Sequence, residues 1–151
     1  MKGHIFKLEV ENYKKCSNIW DMEKDNKFAE QFYNELLSGN RITYVYAFDD
    51  EYIAEISLAY DTNDSDYTIP NKRANVSRLI VKPEYRRKGI GKALVNFIKH
   101  KANELGLYEL SIGVDIDNYS ALKLYVESGF DKIIYVGEDE QGQYVKLLCV
   151  I

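Results

Sequence analysis

Residues 81–94 join a β-rich run to an amphipathic helix through a basic turn that contains two glycines. The first N–H groups of a helix lack an intrahelical acceptor, and the helix dipole makes that end positive. Gly89 and Gly91 carry no side chain that would hold an anion away from those groups. The turn and first helical turn also carry four cations: Arg86, Arg87, Lys88 and Lys92. The segment therefore predicts a cradle for a phosphate or pyrophosphate.

Two known phosphate-binding motifs do not fit this segment. A P-loop needs a glycine five residues before Gly91 and a Ser or Thr after Lys92, whereas the sequence has Arg86 and Ala93 there. The dinucleotide fingerprint G-x-G-x-x-G fails at its third glycine, which is Leu94. The alternative to a phosphate site is an ordinary solvated basic turn at a glycine-rich helix entry.

Hydrophobic patterning divides the rest of the chain into strands and helices. Period-two and apolar runs predict strands at 4–10, 42–48, 52–60, 74–81, 107–114, 130–136 and 144–151. Three- and four-residue spacing predicts helices ending near residue 38, from 90 to 105 and from 118 to 128. Residues 61–73 are polar and form a loop. The strand–helix–strand succession in the second half requires some parallel pairing, so we expect a mixed α/β fold with helices covering a largely central sheet.

Length and composition restrict the class of protein. A chain of 151 residues suggests a single domain over residues 1–151. The net charge of −4 argues against general nucleic-acid binding. Cys16 and Cys149 have no partner pattern for a disulfide framework or a metal site. With no secretory signal and no run of ~20 apolar residues, we expect a cytoplasmic protein without a membrane partner.

A second informative segment covers residues 115–130, where a strand end leads into a short helix. Asn118 or Asp117 suits the N-cap, and Gly129 suits the left-handed position after the helix. Asn118, Ala121 and Tyr125 lie on one helix face at spacings of three and four residues. Taken by itself, Tyr125 is more typical of core packing than of catalysis.

Together the two segments resemble the GCN5-related N-acetyltransferase (GNAT) superfamily. Its cofactor-loop signature, [Q/R]-x-x-G-x-[G/A], matches the residues from Arg86 to Gly91. Its second signature, a helix N-x-x-A-x-x-x-Y that ends in G-F, is matched by Asn118, Ala121, Tyr125 and Gly129-Phe130. The resemblance is strong over residues 74–130. It implies an α/β (α+β) fold with a mixed, mostly antiparallel sheet, helices on both faces, and a parallel, splayed strand pair in the middle.

The resemblance implies acetyl-CoA, or another short acyl-CoA, as co-substrate. Backbone N–H groups from Arg87 to Lys92 would bind the pyrophosphate, and Leu79 and Val81 would pair with the pantetheine arm as an added strand does. The cofactor-binding residues implied in this way are Leu79, Ile80, Val81, Arg86, Arg87, Lys88, Gly89, Ile90, Gly91, Lys92, Asn118, Ala121 and Tyr125.

The implied reaction is attack of a primary amine on the thioester carbonyl within a ternary complex. The N–H of Ile80 or Val81 would stabilise the oxyanion, and Tyr125 would protonate the departing thiolate as general acid. Many family members place a glutamate on the strand that corresponds to residues 74–81, and this sequence has none there. The general base therefore stays open between Glu55, Asp115 and a water relay.

The acceptor is suggested by charge alone. Three aspartates in the 61–73 loop and three acidic residues in a preceding turn favour a small cationic amine, such as an aminoglycoside, a streptothricin-like antibiotic or a polyamine. These residues are Asp61, Asp64, Asp66, Asp49, Asp50 and Glu51. Acidic loops also serve solubility. The alternative acceptor is a protein N-terminus or lysine, and alternatives of another class are a non-catalytic acyl-CoA sensor or a nucleotide-binding module. The family also suggests a homodimer through the last strands.

Overall fold

The computed structural model describes residues 2–151, and within them the chain forms seven strands and three α-helices. The strands are β1 (Gly3–Lys7), β2 (Arg41–Phe48), β3 (Glu51–Ala59), β4 (Arg73–Val81), β5 (Glu109–Asp115), β6 (Lys132–Asp139) and β7 (Gly142–Val150). The helices are α1 (Asn26–Ser38), α2 (Ile90–Glu104) and α3 (Tyr119–Glu127). Two 3₁₀ helices, Val10–Asn18 and Pro83–Tyr85, complete the regular structure. None of the helices in residues 2–151 has the length and apolar character needed to cross a bilayer.

The strands form one mixed sheet in the order β1-β2-β3-β4-β5-β7-β6. The pairs β1–β2, β5–β7 and β6–β7 are antiparallel, whereas β4 and β5 are parallel. The parallel register runs from Arg73 opposite Glu109 to Asn75 opposite Ser111. The predicted mixed, mostly antiparallel sheet with a central parallel pair is confirmed. The splay of these two strands beyond Asn75 stays a prediction.

The chain forms two compact units, each built from two separate stretches. The first contains the described residues up to Leu58 together with Ser77–Leu94, and the second contains Ala59–Val76 and Val95–Ile151. The single domain expected over residues 1–151 stays a prediction.

In the first unit, the predicted helix before residue 38 starts later than expected. Residues 19–25 form turns, and a 3₁₀ helix precedes them. The Oδ1 atom of Asp21 accepts hydrogen bonds from the backbone N–H groups of Glu23 (3.1 Å) and Lys24 (3.0 Å). This local bonding competes with helix formation, so α1 begins only at Asn26. The core of the unit includes Trp20 and Phe32.

In the second unit, the predicted strand at 130–136 starts two residues late. The N–H of Phe130 donates to the carbonyl of Tyr125 at 2.9 Å, and Gly129 adopts a φ of +103°. These features close α3 and bury Phe130 completely. The strand β6 therefore begins at Lys132, and its pairing with β7 continues to Asp139.

Candidate functional site

The predicted phosphate-binding loop lies in the first unit, between the end of β4 and the start of α2. Arg87 and Gly89 have φ values of +61° and +81°, so the chain turns through the left-handed region twice before the helix. Both residues are exposed, and a Cβ added at Gly89 would meet no atom within 4 Å. The first helical hydrogen bond runs from the N–H of Ala93 to the carbonyl of Gly89 at 3.0 Å. Free N–H groups at the start of α2 therefore lie next to open space.

The base of this loop is held by specific contacts. The Tyr85 hydroxyl donates to Oε1 of Glu51 at 2.8 Å, and its ring centroid lies 5.6 Å from that of Phe48. The Nε of Arg86 donates to the carbonyl of Val81 at 2.9 Å. These contacts connect the start of the loop to β3 and to the end of β4.

The predicted cofactor residues divide between the two units. The first unit holds Leu79, Ile80, Val81, Arg86, Arg87, Lys88, Gly89, Ile90, Gly91 and Lys92. Ile90 is buried, whereas Arg86, Arg87, Lys88 and Lys92 are exposed. The second unit holds Asn118, Ala121 and Tyr125.

A cavity of about 460 Å³ in the second unit brings these three α3 residues together. The same cavity is lined by Asp115, one of the candidate bases, and by Tyr67 from the 61–73 loop. It is also lined by three residues that the sequence analysis did not name as site residues: Asp139 from β6, and Tyr144 and Lys146 from β7. Ladder pairing across β5, β7 and β6 brings these residues of the final hairpin to the cavity.

Tyr125 lines the cavity and is itself a buried residue. The residue is 7% exposed, and its ring centroid lies 6.1 Å from that of Phe130 in an edge-on arrangement. Burial raises the pKa of the phenol to about 12. The hydroxyl therefore holds its proton at neutral pH, as a general acid must before it acts.

Of the two predicted N-cap candidates, Asn118 is the one that caps α3. Its Oδ1 accepts a hydrogen bond from the N–H of Ala121 at 3.4 Å. The amide Nδ2 takes no part in that bond, and the residue is exposed. It is therefore available as a donor to a ligand in the cavity.

A single cation, Lys146, compensates part of the negative charge of the acidic loop. The Lys146 ammonium lies 2.9 Å from Oδ2 of Asp64 and 3.0 Å from Oδ2 of Asp66. Hydrogen bonds from Lys146 hold the pKa of Asp64 below its usual value. Among residues 2–151, Asp115 and Asp139 form no ion pair. These two residues therefore add two carboxylates without an ion pair to the lining of the cavity.

Glu55, the other candidate base, lies in the first unit and is 3% exposed. Its Oε1 accepts a hydrogen bond from Nε1 of Trp20 at 2.7 Å, and the Arg78 guanidinium lies 4.5 Å from the centroid of the Trp20 ring. Burial raises the pKa of Glu55, while Arg78 and the Trp20 hydrogen bond act in the opposite direction. These contacts give Glu55 a role in holding Trp20.

Several solved structures of N-acetyltransferases share this fold. The ribosomal-protein-S18-alanine N-acetyltransferase from Escherichia coli superposes with a TM-score of 0.79 at 16% identity, covering 99% of this chain and 94% of that one. The PaiA N-acetyltransferase from Thermoplasma acidophilum, crystallised with coenzyme A, gives 0.71 at 21% identity with complete coverage of both chains. Aminoglycoside 6′-acetyltransferase type Ii gives 0.76 at 19% identity, with 97% and 96% coverage. These likenesses show the fold.

Sequence relatives match parts of the chain. GCN5-related N-acetyltransferase 7, chloroplastic, from Arabidopsis thaliana is 37% identical over 60 residues, which is 40% of this chain and 22% of that protein. The N-alpha-acetyltransferase from Saccharolobus solfataricus is 27% identical over 125 residues, 66% of this chain and 75% of that one. The matches to the first curated relatives span less than a third of those proteins' length. The model of the acetyltransferase (GNAT) family matches residues 5–130, most of the chain, and the protein therefore belongs to that family.

Proposed function

We propose that this protein transfers an acetyl group from acetyl-CoA to a primary amine of a small cationic molecule, by direct attack in a ternary complex. Acetyl-CoA is the co-substrate of the acetyltransferase (GNAT) family. The observation that carries the choice of acceptor is the second-unit cavity, where Tyr125 shares the lining with Asp115 and Asp139. Two carboxylates without ion pairs in a site that holds a proton donor favour a cationic acceptor.

The loop in the first unit fits a diphosphate. Its residues Arg87 and Gly89 are exposed and adopt left-handed conformations, and Lys88 and Lys92 add positive charge beside the helix start. When bound, acetyl-CoA supplies an activated thioester. The half-buried β4 residues Leu79 and Val81 would guide its arm through main-chain hydrogen bonds, and the N–H of Ile80 or Val81 would stabilise the oxyanion.

In this proposal, Tyr125 supplies the proton for the departing thiolate, and Asn118 orients the donor through its free amide. Asp115, directly or through a water molecule, removes the proton from the acceptor ammonium. A primary ammonium has a pKa near ~10.4, so it must lose a proton before it can attack. Glu55 is less suited to this step, because it is nearly closed to solvent and already accepts from Trp20.

A library of amines incubated with the protein and isotopically labelled acetyl-CoA tests the proposal by mass spectrometry of the products. We expect labelled acetyl on small di- and polycationic amines, with weaker transfer to neutral amines. Binding of acetyl-CoA without any labelled product would support a non-catalytic acyl-CoA sensor instead. Labelled product only on anionic or neutral amines would contradict the choice of acceptor.

A protein N-terminus is the second candidate acceptor. It is supported by the similarity to the N-alpha-acetyltransferase from Saccharolobus solfataricus over 66% of this chain. Peptides with free and blocked α-amines belong in the same library. Transfer that is restricted to peptides with a free α-amine would favour this candidate over a small cation.

The proposal also includes a cytoplasmic location and a homodimer. The thiols of Cys16 and Cys149 are free, which is compatible with the reducing conditions of the cytoplasm.

The strand β6 lies at one end of the sheet order and carries exposed Ile133 and Val136, which supports pairing with a second copy. Light scattering at several protein concentrations tests the homodimer.

A further inference from the structure

Lys146 places its ammonium group inside a cage of two carboxylates and two aromatic rings. The Nζ atom lies 2.9 Å from Asp64 Oδ2 and 3.0 Å from Asp66 Oδ2. It also lies 4.8 Å from the ring centroid of Tyr67 and 4.6 Å from that of Tyr135. Carboxylates and aromatic faces together are the groups that recognise an alkylammonium ion.

The cage is built by the fold and borders the cavity that contains Tyr125. Lys146 is 8% exposed, a low value for a lysine, which is seldom buried unless it is paired. The Tyr67 ring lies against Gly113 of β5, where a Cβ would collide with the Tyr67 hydroxyl. Ser111 Oγ donates to the Tyr67 carbonyl at 2.6 Å, and Arg73 Nη1 donates to the Asp66 carbonyl at 2.8 Å. Asp64, Tyr67 and Lys146 all line the cavity itself.

We propose that Lys146 is a specificity-determining residue whose ammonium occupies a cation subsite in the wall of the Tyr125 cavity. The chain's own cation fills the cage and keeps an acceptor out of it. A cationic acceptor is then left with Asp115 and Asp139. The statement about acceptors rests on the proposed function, whereas the cage and its affinity for an alkylammonium ion do not.

The proposal predicts that shortening Lys146 uncovers the subsite. Lys146→Ala removes a propylammonium-sized piece and leaves the two carboxylates and two rings without their cation. We expect the Tm to fall by about 5 °C. We expect n-propylammonium chloride at millimolar concentration to recover at least half of that loss, and sodium chloride at equal ionic strength to recover none of it.

Matched variants separate the cage from general effects of charge. Lys132→Ala removes an exposed lysine of the neighbouring strand β6, and its Tm should not respond to propylammonium. The double variant Lys146→Ala/Asp64→Asn should lose the recovery, whereas Lys146→Arg should keep a Tm near that of the wild type. If Lys146→Ala does not fold, its refolding yield with and without propylammonium becomes the readout. A Tm or yield that propylammonium leaves unchanged would overturn the proposal.

An activity measurement connects the cage to acceptor choice. With Lys146→Ala, the KM for a linear diamine long enough to reach the opened cage should fall at least about threefold relative to wild type. The KM for a monoamine should not fall, and kcat should change by a similar factor for both. An equal change in KM for both amines would contradict the role in specificity. If the wild type acetylates no amine while propylammonium still stabilises Lys146→Ala, the cation subsite is confirmed and the proposed function is wrong.

Discussion

At the scale of single residues, the hydroxyl of Tyr125 decides the proposed chemistry. A general acid contributes about 10²–10⁴-fold to the rate, so Tyr125→Phe should lower kcat by about 100-fold or more. The affinity for acetyl-CoA should change little, because the ring that packs on Phe130 is retained. Thiol release measures kcat, and calorimetry measures the affinity. Because the pKa of the phenol lies at about 12, titration of Tyr125 should cause no loss of activity between pH 7 and pH 10.

The control for this substitution is Tyr119→Phe, at the first residue of α3, where the tyrosine is 75% exposed. It should leave kcat unchanged. Equal activity of Tyr125→Phe and the wild type would show that another group, or water, protonates the thiolate.

Glu55 gives a second prediction at this scale, concerning stability. Burial raises the pKa of this carboxyl in the folded protein, so the folded state keeps a proton that the unfolded chain loses near pH ~4.3. The stability that Glu55 contributes is therefore present at low pH and is lost as pH rises through the folded pKa. Glu55→Gln keeps an acceptor for Trp20 and cannot lose a proton. The urea concentration at the unfolding midpoint should therefore increase for the variant, relative to the wild type, as the pH rises from 4.5 to 8.

Glu30→Gln, an exposed substitution on α1, provides the reference for this series. Its midpoint should follow the wild type at every pH. A constant difference between Glu55→Gln and the wild type would mean that Glu55 carries the same charge in the folded and unfolded states.

At the scale of elements, the loop between β4 and α2 should act through its backbone. Arg87 has a φ of +61°, which glycine adopts freely and a β-branched residue adopts only at a cost of about 1–3 kcal/mol. Arg87→Gly and Arg87→Val lose the same charge and differ in this conformational cost. We expect the valine variant to bind acetyl-CoA at least about tenfold more weakly than the glycine variant, as measured by calorimetry. Equal affinities would mean that the left-handed conformation at position 87 does not set the affinity for the diphosphate.

Element ends were the least predictable part of the fold, and each shift has a local cause. The hydrophobic period placed a helix before residue 38 correctly, but the Asp21 side chain bonds to the backbone and delays α1 to Asn26. Phe130 was predicted as a strand residue, yet its N–H closes α3. Local hydrogen bonds and helix caps decide such boundaries, and the hydrophobic period alone does not predict them.

At the scale of the whole molecule, binding of the co-substrate should raise stability by mass action. Free acetyl-CoA at 100 times its Kd stabilises a folded protein by about 2.7 kcal/mol. For a chain of this length, that corresponds to a rise in Tm of about 5–10 °C. ATP at the same concentration should give no comparable rise. Protection by ATP and not by acetyl-CoA would favour a nucleotide-binding module and remove the basis for acetyl transfer.

The sequence by itself determined the family, the mixed sheet with its central parallel pair, the glycine-rich loop before α2 and the Asn118 cap of α3. The loop and the cap depend on residues close together in the chain, so spacing and residue type are enough to predict them. The central position of the parallel pair followed from the resemblance to the family, because its two strands are far apart in sequence. Only the tertiary structure decided the charge of the acidic loop, because Lys146 lies 82 residues from Asp64 and reaches it through strand pairing. It also decided that Glu55 holds Trp20, 35 residues away. Strand register and packing between distant segments decide which groups lie next to a charged side chain. Hydrophobic pattern and motif spacing carry no information about this register.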